Sequence, residues 1–512
     1  MFRYIALSVF LLFLAILLFR TFVIFTPDKA IFEPCSSTSD NHSLHFDQQR
    51  LQAFQTLLQF QTISYSEDRQ NVEEMKKCRD FIKKHYHGLL KRYPNFVQLH
   101  SIAEYSLLFS IQGKNSSLKP FLLSAHMDVV PAGNVERWKH PPFSGYADEE
   151  FIFARGTLDD KGNVFTMMEA VQEYLNVYGQ PFRTFYVALT HDEEIGVAGA
   201  SGVSRYLSEQ PFGRDGQFEF VLDEGTVIME EAFPTLNNPL ALIAVAEKGF
   251  LSAEYRVNVA PGHSSMPVTP TAIGILARAI DKVESTPQPS RFGQGPEMSL
   301  LLTVTPYLSF PLRLVMSNMW LFGPVVQWVL TLKPGTNALQ RSTTAITLIN
   351  GGEKDNVLPT SASATINHRL HTADSCRRVL ETNRAIINDD RVTARIKTCS
   401  EPSPVSPFGK DVYAYRVLEQ TIRQTFEQSR QPIIVVPGLM LGATDSRSYT
   451  NLSKNLYRFS PFIYRHDDLN RLHGDNERIR HKDMQRGLNF YFHLIVNNQL
   501  ENLPLPKFKS EF

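Results

Sequence analysis

The hydrophobic and polar positions of this chain fall into distinct rhythms. From Tyr4 to Phe25 there is almost no alternation: only Ser8, Arg20 and Thr21 interrupt an apolar run that approaches the roughly 20 residues needed to span a bilayer. Residues 27–45 are polar and turn-rich, as a linker would be. From Phe46 a helical period runs through "QRLQAFQTLLQF" and resumes in "NVEEMKKCRDFIKKHYHGLLKRY". Short apolar runs then alternate with helical ones. "SLLFSIQG", "PFLLSAHMDVV", "TFYVALTHDEE" and "FEFVLDEG" predict strands. "GNVFTMMEAVQEYLNVYG" predicts a helix with Val164, Met168, Val171 and Leu175 on one face. This order predicts an α/β domain with a mostly parallel sheet.

After Lys248 the texture changes. "GFLSAEYRVNV" alternates as a strand, and "PTAIGILARAIDKV" aligns Ile273, Leu276, Ile280 and Val283 along a helix. The hydrophobic stretch "YLSFPLRLVMSNMWLFGPVVQWVL" follows, then two strand-like runs, "TTAITLING" and "SASATINHRLH". The chain therefore divides into a hydrophobic segment (1–26), a linker (27–45), a main domain in two parts (46–246 and 366–498), an inserted α+β domain (247–365) and a tail (499–512). A length of 512 residues agrees with more than one domain.

Composition narrows the function classes. Lysine plus arginine and aspartate plus glutamate number 52 each, so nothing points to nucleic acid or another polyanion. The four cysteines are too few for a disulfide scaffold and none forms a C-x-x-C pair, which disfavours a thiolate zinc site; one or two disulfides remain open. The apolar N-terminus reads as a cleaved signal peptide or an uncleaved signal anchor. The lack of a small-x-small site before Pro27 favours the anchor. Either sends the rest of the chain into the secretory pathway, membrane-anchored or secreted. The N-x-S/T sequons at Asn41, Asn115 and Asn451 suit a glycoprotein of that compartment.

Acids and histidines recur where predicted strands end, the edge at which open α/β sheets bind ligands. "LLSAHMDVVP" supplies His126 and Asp128, two apart and so on one side of an extended chain; Asp128 can fix the imidazole tautomer. "ARGTLDDKG" supplies Asp159 and Asp160, "THDEE" Glu193 and Glu194, "FVLDEG" Asp223 and Glu224, and "RLHGDNE" His473. Taken singly, each is a surface pair, a helix cap or a turn. Together, two imidazoles and several carboxylates suit zinc, and a pair of metals sharing a carboxylate accounts for more of the acids than one metal does.

"SAHMDVVP", "RGTLDDKG", "HDEEIG", "LDEG", "APGHSSMP" and "RLHGDNE", in this order over residues 46–498, resemble the di-zinc aminoacylase and carboxypeptidase family of metallopeptidase clan MH. Two branches look most similar: carboxypeptidase S and the secreted N-fatty-acyl-amino-acid synthase/hydrolases. "SNMWLFGP", "TDSRSYTNL" and "YRFSPFIY" lean to the second. The resemblance implies a zinc-peptidase catalytic domain with an inserted lid or dimerisation domain, two Zn2+ per subunit, and a homodimer through the insertion. It implies that His126 and Asp223 hold one zinc, Glu194 and His473 the other, and that Asp159 bridges them. It makes Asp128 the orienting residue, Glu193 the general base and His263 the oxyanion donor, often reaching a partner's site. Arg369 would grip a substrate carboxylate, and Asn356 and the loop around Thr444, Asp445 and Arg447 would be further substrate contacts. The expected reaction is hydrolysis, and in reverse condensation, of the amide of N-acyl amino acids, fatty-acyl ones by branch. A carboxypeptidase S-like dipeptidase is the alternative, and a zinc-bearing binding protein and a two-metal phosphoesterase are the rivals from other classes.

Overall fold

The computed structural model describes residues 2–27, 30–31, 43–66, 68–196, 198–210, 216–233, 235–426, 432–499 and 507–508. Asn41, Cys35 and most of the linker and tail lie outside the described residues.

The strand-forming runs assemble into an eight-stranded sheet. Its order is Ile434–Met440, Leu240–Glu247, Leu456–Tyr464, Val221–Met229, Phe121–His126, Phe185–Thr190, Ser106–Ile111, Val97–Ile102. The central strands Leu456–Tyr464, Val221–Met229, Phe121–His126 and Phe185–Thr190 are parallel, as expected for apolar runs buried on both faces. The sheet as a whole is mixed. Ser106–Ile111 and Val97–Ile102 add an antiparallel hairpin, and Leu240–Glu247 runs against Leu456–Tyr464. Short connections at that hairpin leave no room for a crossover helix, so parallel pairing is excluded there. One face is covered by the helices Lys161–Tyr178 and His481–Asn497 over a core that includes Phe54, Phe165, Phe459 and Phe490.

The inserted unit is larger than the sequence suggested. Its sheet runs Thr343–Gly351, Ser361–Leu370, Gly249–Asn258, Val392–Ser400, all antiparallel, with the helices Ala272–Ser285 and Cys376–Ile387 packed on it. The insertion therefore ends near Ser400 rather than at residue 365. "VTARIKTCS" is an edge strand, mostly exposed, so it lacks the apolar pattern by which strands are read. Cys376 and Cys399 form a disulfide within the insertion; Cys78 is a free, buried thiol.

The hydrophobic stretch after Gly295 does not join the core of the inserted sheet. Leu300, Leu301, Val304, Met316 and Val326 pack on Ile434 and Val436 at the edge of the main sheet. Beside them lies the N-terminal helix, which with its π-helical continuation, Phe2–Ile24, is long and apolar enough to cross a membrane.

Candidate metal centre

Two strands, Phe121–His126 and Val221–Met229, and three turns, at Asp159, at Glu193–Glu194 and at His473, bring the acids and histidines together. His126 is the last residue of its strand and fully buried. Its Nε2 lies 2.9 Å from Asp159 Oδ1 and 3.4 Å from Glu224 Oε1. His473, in a turn at φ 57°, sets its Nε2 3.0 Å from Asp159 Oδ2 and 3.4 Å from Glu194 Oε2. Two three-residue sets result, His126–Asp159–Glu224 and Asp159–Glu194–His473, with the ligand atoms of each within 4.8 Å of one another. Asp159 belongs to both and offers one oxygen to each.

Asp223, expected as a ligand of the His126 set, belongs to neither set. Its carboxylate faces the other way, where it accepts from Glu224 N at 3.1 Å and lies near Glu247 and Arg458. The two acids are successive residues of one strand, so their side chains leave on opposite faces, and a β-bulge follows, the register against the neighbouring strand shifting between Asp223 and Thr226. Gly225 makes the bulge feasible. Its φ is 146°, and a Cβ there would stand 2.6 Å from Arg458 Cβ.

Asp128 is held where the H-x-D spacing put it. Its Oδ1 lies 3.3 Å from His126 Nδ1, and its main-chain oxygen 3.0 Å from the same nitrogen. The carboxylate also accepts from Ser64 Oγ at 2.7 Å and from the amides of Glu193 (3.1 Å) and Glu194 (3.2 Å). One buried acid thus ties the His126 strand to the Glu193–Glu194 turn. Asp160 receives His126 N at 3.1 Å and Asn163 Nδ2 at 2.5 Å, so it fixes the strand end rather than joining the ligand atoms.

The sequence reading missed Glu477 and Arg155, although both stand inside quoted motifs. Glu477 accepts from the amides of Gly156 (3.0 Å), Leu158 (2.7 Å) and Asp159 (3.3 Å), and its other oxygen meets Arg155 Nη1 at 2.7 Å. Arg155 Nη2 in turn donates to His473 O at 3.2 Å. The pair therefore shapes the loops that present Asp159 and His473.

The electrostatics of the cluster are those of acids crowded out of water. Burial pushes the Glu193 carboxyl well above its ordinary value, and the negative Glu224, Asp445 and Glu194 add to this against the pull of His126. Burial and then Asp159 raise Glu224 to about 7. Burial and then Glu247 raise Asp223 to about 6. Burial also raises Asp159, but His126 and His473 outweigh it and hold that carboxyl low. Hydrogen bonds to Asp159 and Glu194 raise His473 to about 10. Glu194 Oε1 is buried with no hydrogen-bond partner among the described residues. Each imidazole nitrogen faces two carboxylates, more acceptors than one N–H serves. This donor set, two imidazoles and three acids with one acid shared, fits a pair of divalent cations.

The remaining candidates belong to neither ligand set. His263 is exposed on the insertion, in a two-residue strand paired with Val357–Leu358; its Nδ1 lies 2.8 Å from Ser265 Oγ. Asn356 is its neighbour, its main-chain oxygen accepting from Ser264 N at 3.3 Å. Arg369 is half-buried on the strand Ser361–Leu370, its guanidinium 5.2 Å from the Phe250 ring centroid, and burial and then the Arg447 charge lower its pKa. Thr444 bonds the Glu247 carboxylate and Asp445 accepts from Thr190 Oγ1 at 2.6 Å, so both build the floor behind Asp223.

The family described as Peptidase family M20/M25/M40 matches residues 122–497. The N-fatty-acyl-amino acid synthase/hydrolase PM20D1 of Xenopus tropicalis is 38% identical over 459 residues, 90% of this chain and 87% of that protein. A probable carboxypeptidase S-like 2 of Dictyostelium discoideum is 40% identical over 447 residues, 86% of this chain and 83% of that one. Among solved structures, an M20-family metallo-carboxypeptidase from Sulfolobus solfataricus superposes with a TM-score of 0.59 at 15% identity, covering 88% of this chain and 98% of that chain. The match spans both parts of the main domain and the insertion between them: this chain belongs to the M20/M25/M40 peptidase family and is a hydrolase of that family.

Proposed function

We propose that the protein hydrolyses the amide bond of N-acyl amino acids, fatty-acyl ones foremost, and condenses the two halves when both are abundant. The carrying observation is the pair of ligand sets that share Asp159, with the Glu193 carboxyl beside them. His126, Asp159 and Glu224 would hold one Zn2+, and Asp159, Glu194 and His473 the other. When bound, the ions supply a water acidified from a pKa of about 15.7 toward 7 and polarise the amide carbonyl.

The chain's own groups do the rest. Glu193, raised by burial and negative neighbours, takes a proton at its carboxylate and returns it to the leaving amine, a role worth roughly 10²- to 10⁴-fold. Asp128 keeps His126 Nδ1 occupied, so that Nε2 is the nitrogen turned to the site. Arg369 binds the substrate's free carboxylate. The positive Arg447 and Lys248 lie close to it, and Lys248 is brought down to about 8 by burial and then by Arg369. His263, exposed on the insertion beside Asn356, suits an oxyanion donor delivered by lid closure or by a partner subunit.

The similarity to a carboxypeptidase S-like protein supports a second reading, release of a C-terminal amino acid from a short peptide. Both reactions break an amide next to a free carboxylate. Turnover of an N-oleoyl amino acid against a blocked dipeptide separates them: the proposal expects the acyl substrate to win, and a clear win for the dipeptide overturns it.

A further inference from the structure

The helix Met319–Leu330, "MWLFGPVVQWVL", contains no charged residue and is apolar on every side. Its inner side, with Val326 buried, packs into the cluster at the edge of the main sheet. Its outer side exposes Trp320 (56%), Val325 (54%) and Trp328 (62%), and Leu332 just beyond it (61%). At 3.6 residues per turn these positions fall within about 140° of the helix circumference, one broad outer face. A helix apolar all round belongs in a core or in a lipid phase, and the protein covers only the inner side of this one.

The N-terminal helix supplies the context. Phe2–Ile24 is long and apolar enough to cross a membrane, and its C-terminal half is docked on this same region. Asn318, fully buried, donates to Leu17 O at 3.2 Å and Leu314 O at 2.9 Å. Thr21 is fully buried, and Arg20 Nε donates to Ser317 O at 3.2 Å. The Phe13 ring meets the Trp320 ring edge-on at 6.0 Å. With Arg20 at headgroup level, the rise of a helix puts Phe13 about 10 Å deeper. That matches the roughly 5–10 Å to which an interfacial helix sinks.

We propose that the N-terminal helix stays in the mature chain and that the outer face of Met319–Leu330 lies beside it in the same leaflet, so that the protein sits on the bilayer through two elements rather than hanging from one. The occupant of that face is lipid. The docking contacts argue for a retained anchor, since cleavage near Pro27 would strip Asn318 of its Leu17 partner and uncover an apolar flank. Continuity with the anchor argues for lipid over a second copy of the chain.

The test uses the full chain in phosphatidylcholine vesicles. It has three tryptophans, and the third, Trp138, is buried in the main domain. Lipids brominated along the acyl chain are expected to quench most of the emission. A W320F/W328F variant, which keeps only Trp138, is expected to lose that quenching while still floating with the vesicles and still turning over a soluble substrate. Equal quenching in the variant, or none in the intact chain, overturns the proposal. So does a mature chain from cells that starts after residue 26, or efficient copy-to-copy disulfide formation through Val325→Cys in place of lipid contact.

Discussion

Glu477 and Arg155 meet at 2.7 Å with both side chains withdrawn from solvent, and between them they hold the loop of Asp159 and the loop of His473. The two loops are more than three hundred residues apart in the chain, yet they must deliver ligand atoms to within a few ångströms of each other. A buried ion pair that also bonds main-chain amides through Glu477 and main-chain carbonyls through Arg155 Nη2 does this with little freedom left. Removing one partner strands the other charge, so Glu477→Ala should cost about 3–5 kcal/mol of stability and lower metal occupancy as well. Thermal unfolding and metal analysis of the variant check both; an unchanged transition would show that the pair does not organise the site.

Asp223 and Glu224 are adjacent acids with opposite orientations, and substitution should separate them. Glu224→Gln is expected to remove a ligand atom from the His126 set and weaken metal binding, on the order of 10- to 100-fold or more. Asp223→Asn should leave metal stoichiometry intact and shift stability instead, because its neighbours are Glu247 and Arg458. Isothermal titration with zinc on the metal-stripped variants reads the difference. The reverse pattern would restore Asp223 as the ligand.

Glu193 lies beside the ligand sets but belongs to neither. Glu193→Gln should therefore bind metal normally while kcat falls roughly 10²- to 10⁴-fold. A variant that lost metal together with activity would place Glu193 in the coordination sphere instead.

The pH dependence of the metal-free chain follows from two raised groups. His473 is raised from 6.5 to about 10 by hydrogen bonds to Asp159 and Glu194. Its contribution to stability is complete below the unfolded value and is lost as pH rises through the folded one. Glu224 is raised from 4.5 to about 7, chiefly by burial, and this also favours the folded state at low pH and ceases to do so as pH rises through that value. The metal-free protein should thus lose thermal stability from about pH 5 toward pH 10. Metal affinity should rise over the same window, because bound cations displace these protons. Unfolding scans and zinc titrations across pH, in buffers of different ionisation enthalpy, test the sign; affinity that fell with pH would contradict it.

Much of this was legible in the chain itself, for identifiable reasons. His126, Asp159, Glu194 and His473 follow strands or turns whose periods are plain, and His126 with Asp128 obeys simple two-residue alternation. The resemblance pointed to Asp223, but Asp223 and Glu224 are successive strand residues whose side chains leave on opposite faces, and a motif alone does not say which of two adjacent acids turns toward His126. Arg155 and Glu477 were overlooked because their partnership spans distant segments and neither residue type marks a ligand. The strand Val392–Ser400 was missed because an exposed edge needs no apolar face. Arg369 and His263 sit on the insertion, and no local pattern encodes where an inserted unit stands relative to the metal centre.

The central claim, two cations sharing Asp159, is tested most directly by counting metal in the purified full-length chain and in Asp159→Asn. The account predicts close to two equivalents of zinc in the native protein, activity that disappears on chelation and returns with zinc, and loss of both equivalents together in the variant. Amide hydrolysis by thoroughly metal-free protein, or full zinc content in Asp159→Asn, would contradict it.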